Sequence, residues 1–170
     1  DEKVCDFCRE HMPEWNTGVW EDPRFTCYYE DAKARLELEV ASGGKFDVII
    51  MDICDPLDAG PGWVLYTVEF YKLCKEKYLQ PNGVLVTQST ACDPAAPGNP
   101  ELDDPFPMLH KTLTQAFGNC NAYHSQIPSF YYPWGFNMAS ENASILLNMD
   151  ADIAKVDALI AERLGKASNL

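Results

Sequence analysis

Short apolar runs alternate with longer amphipathic stretches along this chain. Apolar residues at helical spacing predict helices at residues 2–11 and 32–40, a helix that begins after Thr67 and reaches Tyr78, and helices at 108–117 and 150–164. β-rich or continuous apolar runs predict strands at 25–29, 46–51, 84–88 and 121–126, with an interrupted strand at 136–148. Residues 81–83 predict a turn, and the proline-rich stretch 92–107 predicts a loop.

The order of these elements predicts an α/β fold with a mainly parallel sheet. Residues 46–51 are nearly all apolar, which is typical of a parallel strand buried on both faces, and the run ends at Asp52. Ligands of such sheets bind beyond the carboxyl ends of the strands. Asp31, Asp52 and Gln88 each follow or end a predicted strand, so we expect the functional site there.

Length and charge narrow the functional classes. The 170 residues are enough for one domain with a hydrophobic core, and no apolar run is long enough to predict a membrane span. The first residues show no secretory signal. A net charge of −13 argues against a nucleic-acid partner, whose phosphates require a basic surface. The charge fits a cationic ligand, but taken alone it is more typical of a soluble acidic protein.

The seven cysteines are odd in number and irregularly spaced. Cys5 and Cys8 form a CxxC motif, which can indicate a metal or redox site, but zinc would need a second pair at similar spacing. Both cysteines lie in a predicted helix, where small apolar side chains are ordinary, and we favour that interpretation. Free thiols favour a reducing compartment, with the cytoplasm expected first and an organelle as the alternative.

Asp52 and Asp55 lie three positions apart in the loop that leaves the apolar strand. Two close carboxylates can bind a metal, work as acid and base, or hold a cationic amine. The three histidines are distant in sequence and show no ligand spacing, which disfavours a metal. Asp52 could also serve only as a polar strand end.

An ordered series of motifs makes the chain similar to a known family. The central block consists of residues 46–56 (FDVIIMDICDP), 65–67 (LYT), 69–71 (EFY) and 81–88 (PNGVLVTQ). Residues 4–9 (VCDFCR), 31–34 (DAKA), 127–130 (IPSF), 134–136 (WGF) and 138–140 (MAS) flank it. The series resembles the polyamine aminopropyltransferases, the spermidine and thermospermine synthases, and is most similar to the thermospermine branch. The likeness runs from Asp1 to about Leu164.

The resemblance implies transfer of an aminopropyl group from decarboxylated S-adenosylmethionine to a polyamine, either spermidine or putrescine, with release of methylthioadenosine. It implies no metal and no cofactor beyond this co-substrate. Asp52 would receive the amine proton and Asp55 would bind a cationic nitrogen. Gln88, Tyr66 and Phe130 would line the amine site. Asp31, with Ala32, would contact the adenine of the co-substrate.

The resemblance also implies a Rossmann-like, methyltransferase-type domain that residues 1–170 complete only in part. The family's glycine-rich nucleotide loop, its first strands and its N-terminal β domain precede the matched segment, so we expect them outside this chain. The remainder of the polypeptide or a partner protein would then complete the sheet, in a homo-oligomer or a larger assembly. Phe130 stands where spermidine synthases usually have Tyr, and Ala32 where they have Gly; the thermospermine branch has Phe and Ala there.

Two other functions remain open on the sequence alone, so enzymatic activity is undecided at this point. The first is a non-catalytic relative that serves as a structural subunit of a larger assembly. The second is a methyltransferase of another kind, which the Asp55–Pro56 pair and the 127–130 motif fit less well.

Overall fold

The structure is a computed structural model that describes residues 1–56, 62–92, 105–130, 132–146 and 152–165. These residues form two compact units, Asp1–Gly44 and Lys45–Leu170.

The first unit contains two helices. Helix α1 (Glu2–His11) has the predicted bounds and is capped by Asp1, whose carboxylate accepts a hydrogen bond from the Lys3 amide at 2.9 Å. A 3₁₀ turn, Pro13–Trp15, follows it, and helix α2 spans Ala32–Ala41. The cysteines of the CxxC motif both lie on α1 and are half-buried, as the helical interpretation predicts.

The predicted strand at residues 25–29 is wrong. The segment has no strand structure, and Phe25, Tyr28 and Tyr29 are each at least 40% exposed. The aromatic composition favours an extended chain, but a strand also needs a neighbour to pair with its backbone groups, and the first unit has no strand in the region described.

The second unit is built on a four-stranded sheet in the order β1-β2-β4-β3. The strands are β1 (Phe46–Met51), β2 (Leu79–Ala91), β3 (Asn119–Ser125) and β4 (Trp134–Ser140). The β1–β2 pair is parallel, whereas β2–β4 and β3–β4 are antiparallel. The described sheet is therefore mixed rather than mainly parallel. The connection from β3 to β4, residues 126–133, is shorter than a parallel crossover needs, so these strands run in opposite directions.

The helices of the second unit mostly follow the predictions. A 3₁₀ turn, Trp63–Tyr66, precedes α3 (Val68–Leu73), which Thr67 caps as predicted and which continues as a π-helical turn to Tyr78. Helix α4 spans Pro105–Phe117, and a 3₁₀ turn, Ala143–Ile145, precedes α5 (Ile153–Leu164). None of the described helices combines the length and apolarity that a bilayer crossing requires.

Several boundaries differ from the sequence-based expectations. Helix α4 begins at Pro105, inside the predicted loop, because proline is tolerated in the first turn of a helix. Strand β2 continues past Gln88 to Ala91, and its register against β1 jumps from Leu79 to Val84, so that the predicted turn at 81–83 bulges out of the strand. Strand β4 ends at Ser140, where the interruption was expected; residues 147–150 lie outside the described part.

The two faces of the sheet differ in burial. One face carries five fully buried residues of β2 and β4: Leu85, Thr87, Ser89, Asn137 and Ala139, each 0% exposed. On β1, by contrast, Val48 is 53% and Ile50 is 73% exposed. The core of this unit therefore lies on one side of the sheet.

Candidate active site

The parallel pair β1–β2 brings two candidate residues to neighbouring positions. Met51 lies opposite Thr87 in the register, so Asp52 and Gln88 are the next residues on adjacent strands. Asp52 is exposed and directly follows β1, as expected for the carboxyl end of a parallel strand. Gln88 is only 6% exposed.

Gln88 holds the loop after β1 through its side-chain nitrogen. Nε2 donates to the Ile53 carbonyl at 2.8 Å and to Oδ1 of Asp55 at 3.0 Å, and lies 3.1 Å from the Tyr66 hydroxyl. The predicted amine-site residues Asp55, Tyr66 and Gln88 therefore form one hydrogen-bonded cluster. Asp55 itself is exposed, so its carboxylate is both anchored and open to solvent.

Tyr66 joins this cluster from the 3₁₀ turn before α3. Its hydroxyl donates to the Cys54 carbonyl at 3.0 Å and lies 3.3 Å from the Ile53 carbonyl, and the side chain is 6% exposed. Burial raises the pKa of this hydroxyl, while the hydrogen bond with Gln88 acts in the opposite direction. The phenol therefore stays protonated at neutral pH and remains a hydrogen-bond donor to the loop.

The oxygen of the Gln88 amide has donors of its own. Oε1 accepts from the indole Nε1 of Trp134 at 3.1 Å and from the backbone amide of Thr90 at 3.0 Å. The Trp134 ring packs on Phe130, with 4.4 Å between ring centroids. Phe130, predicted to line the amine site, is 41% exposed. It is linked to Asp55 only indirectly, through Trp134 and Gln88.

The sequence did not predict that Trp134 and Thr90 donate hydrogen bonds to Gln88. Trp134 lies in one of the quoted motifs, but nothing in the motif indicates that its indole nitrogen reaches Gln88. Thr90 adopts φ of 69°, unusual for a β-branched residue, where the β2–β4 register shifts between Gln88 and Ala91. This bulge turns the Thr90 amide toward the Gln88 side chain.

Asp31 and Ala32 belong to the first unit. Asp31 caps α2, with its Oδ1 accepting from the Ala34 amide at 2.8 Å, and is not the end of a strand. Both residues are exposed. Their predicted contact with the co-substrate stays a prediction.

The described residues include no group of three His, Cys, Asp or Glu side chains placed to hold a metal ion. A groove of about 470 Å³ lies along α5 and is lined mainly by apolar side chains together with Lys155 and Arg163. None of its lining residues belongs to the Gln88 cluster.

Comparison with known proteins identifies the family. The family model described as "Spermine/spermidine synthase domain" matches residues 1–149. The chain belongs to the spermine/spermidine synthase family. This confirms the resemblance that the ordered motifs indicate.

The chain is similar in sequence to several curated polyamine aminopropyltransferases. It is 36% identical over 141 residues to polyamine aminopropyltransferase 2 of Pseudomonas aeruginosa. The aligned region covers 83% of this chain and 38% of the relative. It is 34% identical over 164 residues to a thermospermine synthase of Arabidopsis thaliana, which covers 96% of the chain and 44% of the relative. The chain thus spans less than half the length of these two relatives.

Solved spermidine synthases share the fold of this family member. One, in complex with the transition-state analogue AdoDATO, superposes with a TM-score of 0.63 at 24% identity over 84% of the chain and 45% of the solved chain. The spermidine synthase of Thermotoga maritima gives 0.59 at 22% identity over 84% of the chain and 44% of that structure. The likeness confirms the predicted Rossmann-like, methyltransferase-type α/β fold.

Proposed function

We propose that the polypeptide containing this chain transfers an aminopropyl group from decarboxylated S-adenosylmethionine to a polyamine, with methylthioadenosine as the second product. The observation that carries the proposal is the cluster of Asp55, Tyr66 and Gln88 beside Asp52, at the end of a parallel strand pair, in a member of the spermine/spermidine synthase family. The curated relatives are named for this activity, among them the polyamine aminopropyltransferase of Aeropyrum pernix, 34% identical over 142 residues.

Asp52 is proposed to receive the proton of the acceptor amine. The acceptor nitrogen attacks the methylene carbon next to the sulfonium, a new C–N bond forms, and the C–S bond breaks with its electron pair left on sulfur. An alkylammonium has a pKa near 10.4, so freeing its nitrogen at pH 7 costs about 4–5 kcal/mol. An exposed carboxylate at this strand end can orient the amine and accept its proton as attack proceeds.

Asp55 is proposed to bind a second, cationic nitrogen of the acceptor. Its Oδ1 is anchored by Gln88, and the exposed side chain leaves carboxylate oxygen free for an ammonium group. The net charge of −13 supports a cationic acceptor, because a negative field concentrates cations. Tyr66, Gln88 and Phe130 complete the proposed amine site. Asp31 and Ala32 are proposed to contact the adenine, and decarboxylated S-adenosylmethionine is the co-substrate.

Further protein is proposed to complete the sheet at β1. This strand is at the edge of the described sheet and pairs only with β2, yet its sequence is that of a strand buried on both faces. The exposed Val48 and Ile50 support a covering strand or helix. The remainder of the polypeptide or a partner subunit is the proposed source.

A transfer assay tests the function. The complete polypeptide would be incubated with decarboxylated S-adenosylmethionine and either putrescine or spermidine, and the products separated by chromatography. We expect methylthioadenosine and a polyamine longer by one aminopropyl group, in equal amounts. A correctly folded protein that binds both substrates but forms neither product would favour the non-catalytic subunit instead.

A further inference from the structure

We propose that Trp134 is a positioning residue of the amine site: its indole N–H fixes the Gln88 side chain, and Gln88 in turn fixes the Asp55 carboxylate. The inference rests on the proposed function, because it assigns Asp55 to a nitrogen of the acceptor. It adds a residue that does not itself need to touch the substrate.

The Gln88 amide has partners of opposite kind at its two ends. At Oε1 are the Trp134 indole N–H and the Thr90 backbone N–H, which can only donate. At Nε2 are the Ile53 carbonyl and the Asp55 carboxylate, which can only accept. Rotation of the amide by 180° would therefore set two donors against an NH₂ group and two acceptors against an oxygen. One orientation satisfies all four contacts, and the reverse satisfies none.

That orientation determines how Asp55 is held. The NH₂ group anchors Oδ1 at 3.0 Å, so the carboxylate cannot rotate freely although it is exposed. A held carboxylate loses less rotamer entropy when an ammonium binds than a mobile one does. The amide of Gln88 is therefore the part of the site that prepares Asp55 for a cation.

Trp134 is itself held in place from two sides. Its ring packs on Phe130 at 4.4 Å between centroids. The next residue, Gly135, lies so close to Phe106 of α4 that a Cβ at this position would be 2.3 Å from the phenylalanine ring. The start of β4 therefore lies against the helix with no room for a side chain, which fixes the backbone from which the Trp134 indole reaches Gln88.

The test compares Trp134→Phe with the wild-type protein, using the complete polypeptide. Phenylalanine keeps an aromatic ring for Phe130 and removes the N–H donor. We expect the KM for spermidine, and its dissociation constant by calorimetry, to rise about tenfold, the scale of one lost buried hydrogen bond. We expect kcat and the KM for decarboxylated S-adenosylmethionine to change less than about twofold.

Ser140→Ala is the matched control. Ser140 lies at the other end of the same strand, and its hydroxyl donates one buried hydrogen bond of 3.0 Å to the Gly83 carbonyl. It should lower the melting temperature without changing the KM for spermidine. If Trp134→Phe lowers the melting temperature to a similar extent and leaves amine affinity unchanged, its role is only structural and the inference is overturned.

A double-mutant cycle tests the route through Gln88. If Trp134 acts on Asp55 through Gln88, adding Trp134→Phe to Gln88→Leu should change spermidine affinity by less than about twofold, because the amide is already gone. Two effects that multiply would show that Trp134 acts by another path. Where Gln88→Leu fails to fold, the single Trp134→Phe comparison still decides.

The two proposals can fail separately. A wild-type protein that binds spermidine but transfers nothing would contradict the transferase activity, while its affinity relative to Trp134→Phe would still support or overturn the positioning role. Equal spermidine affinity of the two proteins, or no polyamine binding by the wild type, would overturn the inference.

Discussion

The side-chain amide of Gln88 donates a hydrogen bond to Asp55 across 3.0 Å, although the two residues are 33 positions apart in sequence. The parallel pairing of β1 with β2 makes this contact, since it aligns the ends of the two strands. The variants named below are made in the complete polypeptide unless another sample is given.

Asp52→Asn should lower kcat at least about a hundredfold, because asparagine cannot receive the amine proton. The KM values should change much less, since the side chain keeps its shape. Steady-state transfer kinetics measure both constants. Asp47→Asn is the control: it removes an exposed carboxylate from within β1, the strand that Asp52 follows, and should leave kcat near the wild-type value. Near-normal turnover of Asp52→Asn at saturating amine would remove Asp52 from this role.

Asp55→Asn should act mainly on amine affinity. The variant loses the charge that a cationic nitrogen would meet. If its amide oxygen keeps the hydrogen bond from Gln88, its NH₂ group faces the ammonium, donor against donor. We expect the KM for spermidine to rise about ten- to a hundredfold, and more than the KM for the co-substrate. An equal rise in both constants would contradict an amine-specific role.

Much of this cluster could be predicted from the sequence, because the apolar run of β1 and the position of Gln88 in the next strand are local patterns. Trp134 could not be placed, since its contact with Gln88 depends on the antiparallel pairing of β4 and on a bulge at Thr90. The strand expected at residues 25–29 failed for a related reason. Composition favours extended structure there, but pairing depends on a neighbour that local sequence cannot reveal.

Cysteine reactivity should follow burial. Cys54, which lies between Asp52 and Asp55 in sequence, is exposed. Cys74 is 0% exposed, and burial raises the pKa of its thiol to about 12. At pH 8, iodoacetamide should label Cys54 at least about tenfold faster than Cys74. Peptide mass spectrometry at several times gives the two rates. Labelling of Cys74 as fast as Cys54 would show that the α3 region opens readily.

The same thiol predicts a stability change at high pH. Because its pKa is raised in the folded state, the stability contributed by protonated Cys74 is fully present below the ordinary value of 9.0 and is lost as pH rises toward about 12. Cys74→Ala should therefore lose less stability than the wild type between about pH 9 and pH 11, measured by urea unfolding at each pH. Cys54→Ala, which changes an exposed thiol, should follow the wild-type curve.

The last prediction concerns residues 1–170 expressed alone. Edge strand β1 is apolar, and Ile50 is 73% exposed, so the isolated chain presents both unpaired backbone groups and an apolar surface. We expect it to aggregate, or to stay soluble without a cooperative thermal melt. Circular dichroism during heating and size-exclusion chromatography measure this. Ile50→Lys should reduce aggregation of the isolated chain and destabilise the complete polypeptide, in which further protein is proposed to cover β1. Met108→Lys, an equally polar change at an exposed position of α4, should do neither to the same extent. A monomeric wild-type chain with a sharp two-state melt would mean that the sheet is stable without further strands, and it would remove the need for a covering partner.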